Sequence, residues 1–306
     1  MATSNPVVEC MSPWAAHFAS GNAFFTGTVL LLGAVCTTFC RGHLDSVRLR
    51  RWLILIGLIL VCLSTTPLPF VFYGLWGVTL IGWWISRLRN TSPAGRARCR
   101  MAASAFAIVT VIALIWELST LRPRTRSPID GETIYVIGDS VSAGMNEPLD
   151  ETWPAVMSRR FSADVVNLSQ PGATARSALR QAEGIEVESC IVVIEIGGND
   201  LLSGLPASEF RRQLHDLLRD VSRPDRRVLM MELPLPPTFY GYGRAQRELA
   251  DEYQVGLISK REFVRVLSTG EATVDSVHLA PAGHSLMADQ VWRHVRPLLP
   301  ASARSR

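Results

Sequence analysis

Apolar and polar positions follow two different patterns along the chain. From Phe24 to Leu118 the apolar residues form long runs interrupted by arginine clusters, whereas from Ile134 onward they form short bursts between amphipathic stretches. A membrane span needs ~17–25 mostly apolar residues. The runs Phe24–Phe39, Trp52–Ile85 and Met101–Leu118 approach or exceed that length. The middle run is too long for one helix and just long enough for two, so Pro67-Leu-Pro69 is read as a tight turn between them. Four helices are therefore predicted. Trp52, Trp83, Trp84 and Trp116 fall near their ends, where aromatic residues favour the membrane interface.

The second pattern predicts strands at Ile134–Ile137, Val165–Leu168, Cys190–Ile196, Arg227–Leu233 and Val255–Ile258. Helices are predicted around Trp153–Phe161, Ala175–Ala182, Ser208–Val221, Arg244–Tyr253 and Ala282–Val295. In Ser208–Val221 the residues Phe210, Leu214, Leu217 and Leu218 recur at three- and four-residue spacing and give one apolar face. Strands that are apolar on both sides, alternating with amphipathic helices, imply a parallel sheet covered on both faces. The expected architecture is a three-layer α/β/α domain at 127–306, preceded by an all-α transmembrane region at 1–126.

Charge makes the same division. Residues 1–126 hold 12 Arg and the three acids Glu9, Asp45 and Glu117, a net of +9; residues 127–306 hold 19 basic and 24 acidic residues, a net of −5. The pI near 8.9 thus belongs to the apolar half, and the acidic half carries no electrostatic footprint for nucleic acid. Arg41, Arg48, Arg50 and Arg51 separate the first two spans, and Arg87, Arg89, Arg96, Arg98 and Arg100 separate the last two. Positive loops face the cytoplasm, which places the N-terminus and the C-terminal domain outside; Arg122, Arg124 and Arg126 run against this rule. The uncharged N-terminus is also unlike a cleaved signal peptide. Glu117, the one charged candidate within a span, is read as an interfacial residue. Of six cysteines only Cys190 lies in the second half, and no Cys/His cluster suggests a metal or cofactor.

In a doubly wound sheet, ligands gather at the carboxyl ends of the strands. The first strand runs into Gly138-Asp139-Ser140-Val141-Ser142, the second into Asn167-Leu-Ser-Gln-Pro-Gly172, and the third into Gly197-Gly198-Asn199-Asp200. Asp275-Ser-Val-His278 precedes the last helix. A serine hydroxyl is a poor nucleophile until a base takes its proton, and a histidine held in one tautomer by a carboxylate is suited to that task. Asp275, three residues before His278, can reach that ring from the same loop. The expected catalytic residues are Ser140, Asp275 and His278. An α/β-hydrolase elbow, G-x-S-x-G, is not matched, because position 142 is Ser.

In order and spacing these four segments resemble the four blocks of the SGNH (GDSL-like) hydrolase family, over about residues 131–298. The resemblance implies a flavodoxin-like parallel sheet and an oxyanion hole made by the Ser140 N–H, the Gly172 N–H and the Asn199 amide. It also implies acyl-ester chemistry through an acyl-serine intermediate, without cofactor or metal. Asp139 and Asp200 are expected to orient loops, His284 to pack or to line the pocket rim, and Pro234–Tyr242 to form a substrate-side loop. The chain is thus expected to be an esterase on the outer side of the cytoplasmic membrane, acting on O-acetyl groups of envelope glycans or on acyl esters of lipids. An acyltransferase and an idle membrane scaffold are the alternatives. No role is assigned to Glu195 or Glu232.

Overall fold

A computed structural model describes residues 11–39, 45–88, 92–121, 127–145, 151–275 and 278–304. Glu9, Arg41, Arg89, Arg122, Arg124 and Arg126, named above, lie outside these residues, as do Ser276 and Val277. The chain divides into two compact units, Gly21–Arg122 and the remainder, Met1–Ser20 with Pro123–Arg306.

The first unit is helical: α2 Asn22–Phe39, α3 Asp45–Leu63, α4 Phe70–Leu88 and α5 Pro93–Thr120, after a short α1 at Pro13–Ala19 that belongs to the other unit. The break between α3 and α4 falls on Ser64–Pro69, at the predicted proline turn. The two helices it joins pack chiefly elsewhere, α3 on α2 and α4 on α5, with α2 also against α5. At the α2–α3 crossing Gly27 meets Gly57 so closely that a Cβ on Gly27 would stand 2.7 Å from the Gly57 carbonyl oxygen. Small residues at a helix crossing are the packing device expected where lipid leaves no hydrophobic drive between helices. Trp76 Nε1–H donates to Thr110 Oγ1 at 3.1 Å, tying α4 to α5. Glu117 is buried, with the Thr120 hydroxyl 3.4 Å from its carboxylate, and not at an exposed helix end.

Two of these helices, α2 and α5, are long and apolar enough to cross a membrane. The other two fall short. Four ionisable residues, Asp45, Arg48, Arg50 and Arg51, open α3. Each of the four nonetheless exposes large apolar side chains, among them Val29, Trp52, Ile56, Val78, Ile81, Ile108 and Ile115.

The second unit is an α/β domain. Its five strands are β1 Ile134–Gly138, β2 Val165–Asn167, β3 Cys190–Glu195, β4 Arg226–Met231 and β5 Gly256–Ile258. They pair in parallel in the order β2-β1-β3-β4-β5, the doubly wound topology expected. Side-chain alternation sends Tyr135, Ile137, Val192, Ile194, Val228 and Met230 into one buried cluster and Ile134, Val136, Ile191, Val193, Leu229 and Met231 into the other. The first is covered by α8 Ala175–Ala182, α10 Ala207–Val221 and α11 Tyr240–Glu252; the second by α7 Trp153–Phe161, α12 Lys260–Leu267 and α13 Pro281–Val295. Shorter helices are α6 Ser140–Ala143, α9 Gly198–Leu202 and α14 Ala301–Arg304.

The helices α1, α6, α9, α12 and α14 were not predicted. In α12 eight residues are too few for a periodic signal, although Phe263, Val264, Val266 and Leu267 are all buried. The helix α1 packs on α12, and the Met11 N–H donates to the Leu267 carbonyl at 3.3 Å. Residues 11–20 therefore belong with the α/β domain although the 102 residues of the helical unit, Gly21–Arg122, intervene in sequence.

The Gly27–Gly57 contact is testable. Gly27→Val pushes a β-branched side chain into the Gly57 backbone and should cost about 1–3 kcal/mol, read as a lower thermal midpoint of the detergent-solubilised protein. Gly33→Ala, whose Cβ meets only Leu53 Cδ1 at 3.8 Å, should leave the midpoint unchanged.

Candidate active site

The carboxyl ends of β1 and β3 mark the point where the sheet's winding direction reverses, and a crevice opens there in such folds. The chain leaves β1 through Gly138 and Asp139 and turns at once into α6, whose first residue is Ser140. A Cβ on Gly138 would stand 2.7 Å from Ser142 Oγ and 2.9 Å from Ser169 Oγ, so only glycine lets the turn close. Gln181 of α8 brackets this peptide: its Nε2–H donates to the Gly138 carbonyl and its Oε1 accepts the Gly138 N–H, both at 3.0 Å. Asp139 caps α6, with Oδ1 accepting the Val141 N–H at 3.0 Å.

Thr273 and Leu279 form an antiparallel bridge that closes a small loop before α13, and this loop carries Asp275 and His278. His278 Nε2 lies 3.2 Å from Ser140 Oγ. On the other side of the ring, His278 Nδ1 is 2.8 Å from Asp275 Oδ2, while the His278 backbone N–H donates to Asp275 Oδ1 at 2.7 Å. Both oxygens of one carboxylate thus fix one histidine. With Nδ1–H donated to Asp275, Nε2 presents its lone pair to the serine hydroxyl. The structure brings together the three residues that sequence put in one site. Asp275 stays largely exposed, at 58 % of its side-chain surface.

Gly197, at φ +116°, ends the β3 segment and starts α9, which carries Asn199. Asn199 Nδ2–H donates to Asp139 Oδ2 at 3.1 Å and to the Ala173 carbonyl at 3.0 Å. It therefore ties the residue before Ser140 to the residue after Gly172. Gly172 adopts φ +76°, the left-handed turn conformation that a Pro-Gly sequence favours. Asp200 Oδ2 accepts the Ala175 N–H at 2.9 Å and so braces the start of α8, the loop-orienting role expected of it. His284 is buried, and its Nδ1 accepts the Trp153 N–H at 3.1 Å.

Beneath the turn lies a polar cluster that the sequence did not reveal. Glu195, the last residue of β3, is 2 % exposed. Its Oε2 accepts the Ser142 hydroxyl at 2.9 Å and lies 3.4 Å from the Asp139 N–H. Ser142 Oγ in turn accepts Trp153 Nε1–H at 3.2 Å. Burial, and then the charge of Asp139, push the Glu195 carboxyl well above the ordinary carboxylate range; burial also raises Asp139, against the opposing Val141 hydrogen bond. The one available signal was a lone acid in an otherwise apolar strand. Glu232, at the end of β4, has a different environment: despite burial, Arg247 at 2.7 Å and Lys260 hold its carboxyl below the usual range, and it joins β4 to α11 and α12. Cys190 sits at the far end of β3, and burial raises its thiol. Among the described residues no group of three or more His, Cys, Asp or Glu is placed to hold a metal ion.

Residues 136–286 match the GDSL-like Lipase/Acylhydrolase family. The chain is 26 % identical over 182 residues to Esterase TesA of Pseudomonas aeruginosa, covering 55 % of this chain and 90 % of that protein. It is 27 % identical over 180 residues to Thioesterase 1/protease 1/lysophospholipase L1 of Escherichia coli, covering 55 % of this chain and 85 % of that one. A crystal structure of TesA superposes with a TM-score of 0.49 at 28 % identity, over 55 % of this chain and 99 % of that one. The α/β domain is a GDSL/SGNH hydrolase domain. The protein is an SGNH-type serine hydrolase, an enzyme that acts on carboxylic esters.

Gly138→Ala should disrupt the turn, costing about 1–3 kcal/mol of stability together with most esterase activity. Gly172→Ala has open space for its methyl and should cost only the left-handed backbone penalty, about 1–2 kcal/mol. Thermal unfolding and ester hydrolysis of both variants check the contrast.

Proposed function

We propose that the protein is a membrane-attached serine esterase in which Ser140 attacks the acyl carbon. His278 takes the serine proton and delivers it to the leaving alcohol. Asp275 holds the imidazole tautomer and stabilises the imidazolium. The Ser140 and Gly172 N–H groups and the Asn199 amide receive the oxyanion, and water then releases the acyl group by the same relay in reverse. The observation that carries this reading is the unbroken line from Ser140 Oγ through His278 to Asp275 at 3.2 and 2.8 Å.

The domain works outside the cytoplasmic membrane in this reading, with the arginine-bearing loops inside. The packing of α1 against α12 supports an even number of crossings, since residues on both sides of the helical unit in sequence share one folded domain. Four crossings by α2 to α5 meet that condition, as do two by α2 and α5 alone.

For the substrate, placement favours O-acetyl esters of envelope glycans. A second reading, the acyl ester of a lysophospholipid, is favoured by exposed apolar residues on the site's loops, Leu202, Phe239 and Val274, the last beside Asp275. The name of the E. coli relative includes that activity.

Hydrolysis of nitrophenyl esters of increasing acyl length by the full chain in detergent tests the reading. Ser140→Ala should lower kcat by a factor on the order of 10⁶ and Asn199→Ala by about 10²–10³. A peak at acetyl supports the glycan reading and a peak at long chains the lipid reading; unchanged turnover in Ser140→Ala refutes the mechanism. For topology, an impermeant maleimide should label Ser12→Cys and Ser302→Cys above the native background in intact cells, and Arg96→Cys only after permeabilisation.

A further inference from the structure

Glu195 and Asp139 are buried carboxyls at 2 % and 3 % exposure beside the paired ends of β3 and β1, where the Asp139 N–H donates to Glu195 Oε2 at 3.4 Å and the two side chains act on each other. Among the described residues no Lys or Arg bonds either one. The titratable groups acting on Asp139 from neighbouring elements are His278, on the loop before α13, and Asp200 of α9; Glu195 feels Asp139. Two unpaired carboxylates in contact inside a protein cannot both ionise, so such a pair keeps one proton. The hydrogen bonds locate it. Asp139 accepts the Val141 N–H through Oδ1 and the Asn199 Nδ2–H through Oδ2, as an ionised carboxylate does. Glu195 accepts the Ser142 hydroxyl through Oε2, with burial opposing its ionisation.

We propose that Glu195 is a positioning residue for ester hydrolysis: it keeps a proton and donates it to Asp139, whose carboxylate caps the Ser140 turn and can then release the Asn199 amide to the oxyanion. This rests on the reading of Ser140 as nucleophile and Asn199 as oxyanion donor. The Asn199 amide has two hydrogens, one on the Ala173 carbonyl and one on Asp139 Oδ2. To stabilise the transition state it must turn the second toward the oxyanion, away from Asp139. A bare carboxylate would hold that hydrogen strongly, because charge-assisted hydrogen bonds are about twice as strong as neutral ones. A proton shared from Glu195 draws charge out of Asp139 and lets the amide go. Loss of that proton adds a second negative charge below the site, where the oxyanion forms. The turnover number should therefore fall on the alkaline side as Glu195 ionises. Folding stability should weaken earlier, as pH rises from the ordinary carboxylate range to the point where Glu195 ionises, and level off above it, since burial favours the protonated form.

Glu195→Gln is the test, made in the full chain. Its amide can donate to Asp139 and accept from Ser142 without a titratable proton. The wild type should show the infrared C=O stretch of a protonated carboxyl at neutral pH, and the variant should lack it. Turnover of the variant should stay within about threefold of wild type at neutral pH and lose the alkaline fall. Ser142→Ala removes a hydrogen bond that favours the ionised Glu195, so its alkaline fall should move to higher pH. The proposal is overturned if the wild type shows no such band, or if Glu195→Gln loses more than about tenfold in kcat with an unchanged pH profile. Ser140→Ala separates the two readings. Should that variant still hydrolyse ester while the band persists, the nucleophile assignment fails and the shared proton stands.

Discussion

The parallel ladder between β1 and β3 sets Gly138 opposite Glu195, and the active edge of the domain depends on that register. One residue further along β1 the chain must turn sharply to present Ser140. The turn has no room for a side chain at 138, and its underside is a buried polar cluster of Asp139, Ser142, Glu195 and Trp153. A slip of one residue would reverse every side chain in the strand, sending Ile134 and Val136 to the wrong core and Asp139 away from Asn199. The close packing of both cores, with Ile137, Val192, Ile194 and Met230 fully buried, makes such a slip costly. Rigidity for the site comes from the hydrophobic layers, and direction comes from the few polar atoms at the sheet's end.

The polar groups at this edge form two connected sets. The exposed set, Ser140, His278 and Asp275, lies where substrate can reach it. The buried set underneath anchors the loops from which the exposed set projects. Asn199 belongs to both, bonding Asp139 below while standing beside the Gly172 turn. Asp275 is unusual in this arrangement because it is well exposed, so its electrostatic effect on His278 is screened by water. Its two hydrogen bonds to the backbone and ring of His278 are geometric constraints that survive screening. Orientation of the ring, more than charge, is what Asp275 supplies.

Much of this was legible in the sequence. Four short segments, Gly138–Ser140, Gly172, Gly197–Asp200 and Asp275–His278, carried both the chemistry and its order because glycine, serine, histidine and carboxylate have few substitutes in those places. The parallel sheet was legible from strands apolar on both faces. Gln181 was not, since its function is to grip the Gly138 peptide from a distant helix, and no local pattern encodes that contact. The same holds for α1, whose partner Leu267 lies more than 240 residues away. Charge misled slightly in the helical unit. Arginine clusters were read as loops between spans, yet Arg48, Arg50 and Arg51 lie in the opening turns of α3, Arg87 in the last turn of α4, and Arg96, Arg98 and Arg100 in the first turns of α5.

The central claim is that Ser140 is a nucleophile activated by His278. The most direct test is to expose the intact protein to a fluorophosphonate, which phosphonylates an activated serine and expels fluoride, and to weigh the product by mass spectrometry. The account predicts one adduct per chain, located on the peptide that holds Ser140 and formed far more slowly in His278→Ala. An adduct on another residue, or a rate that His278→Ala leaves unchanged, would contradict it.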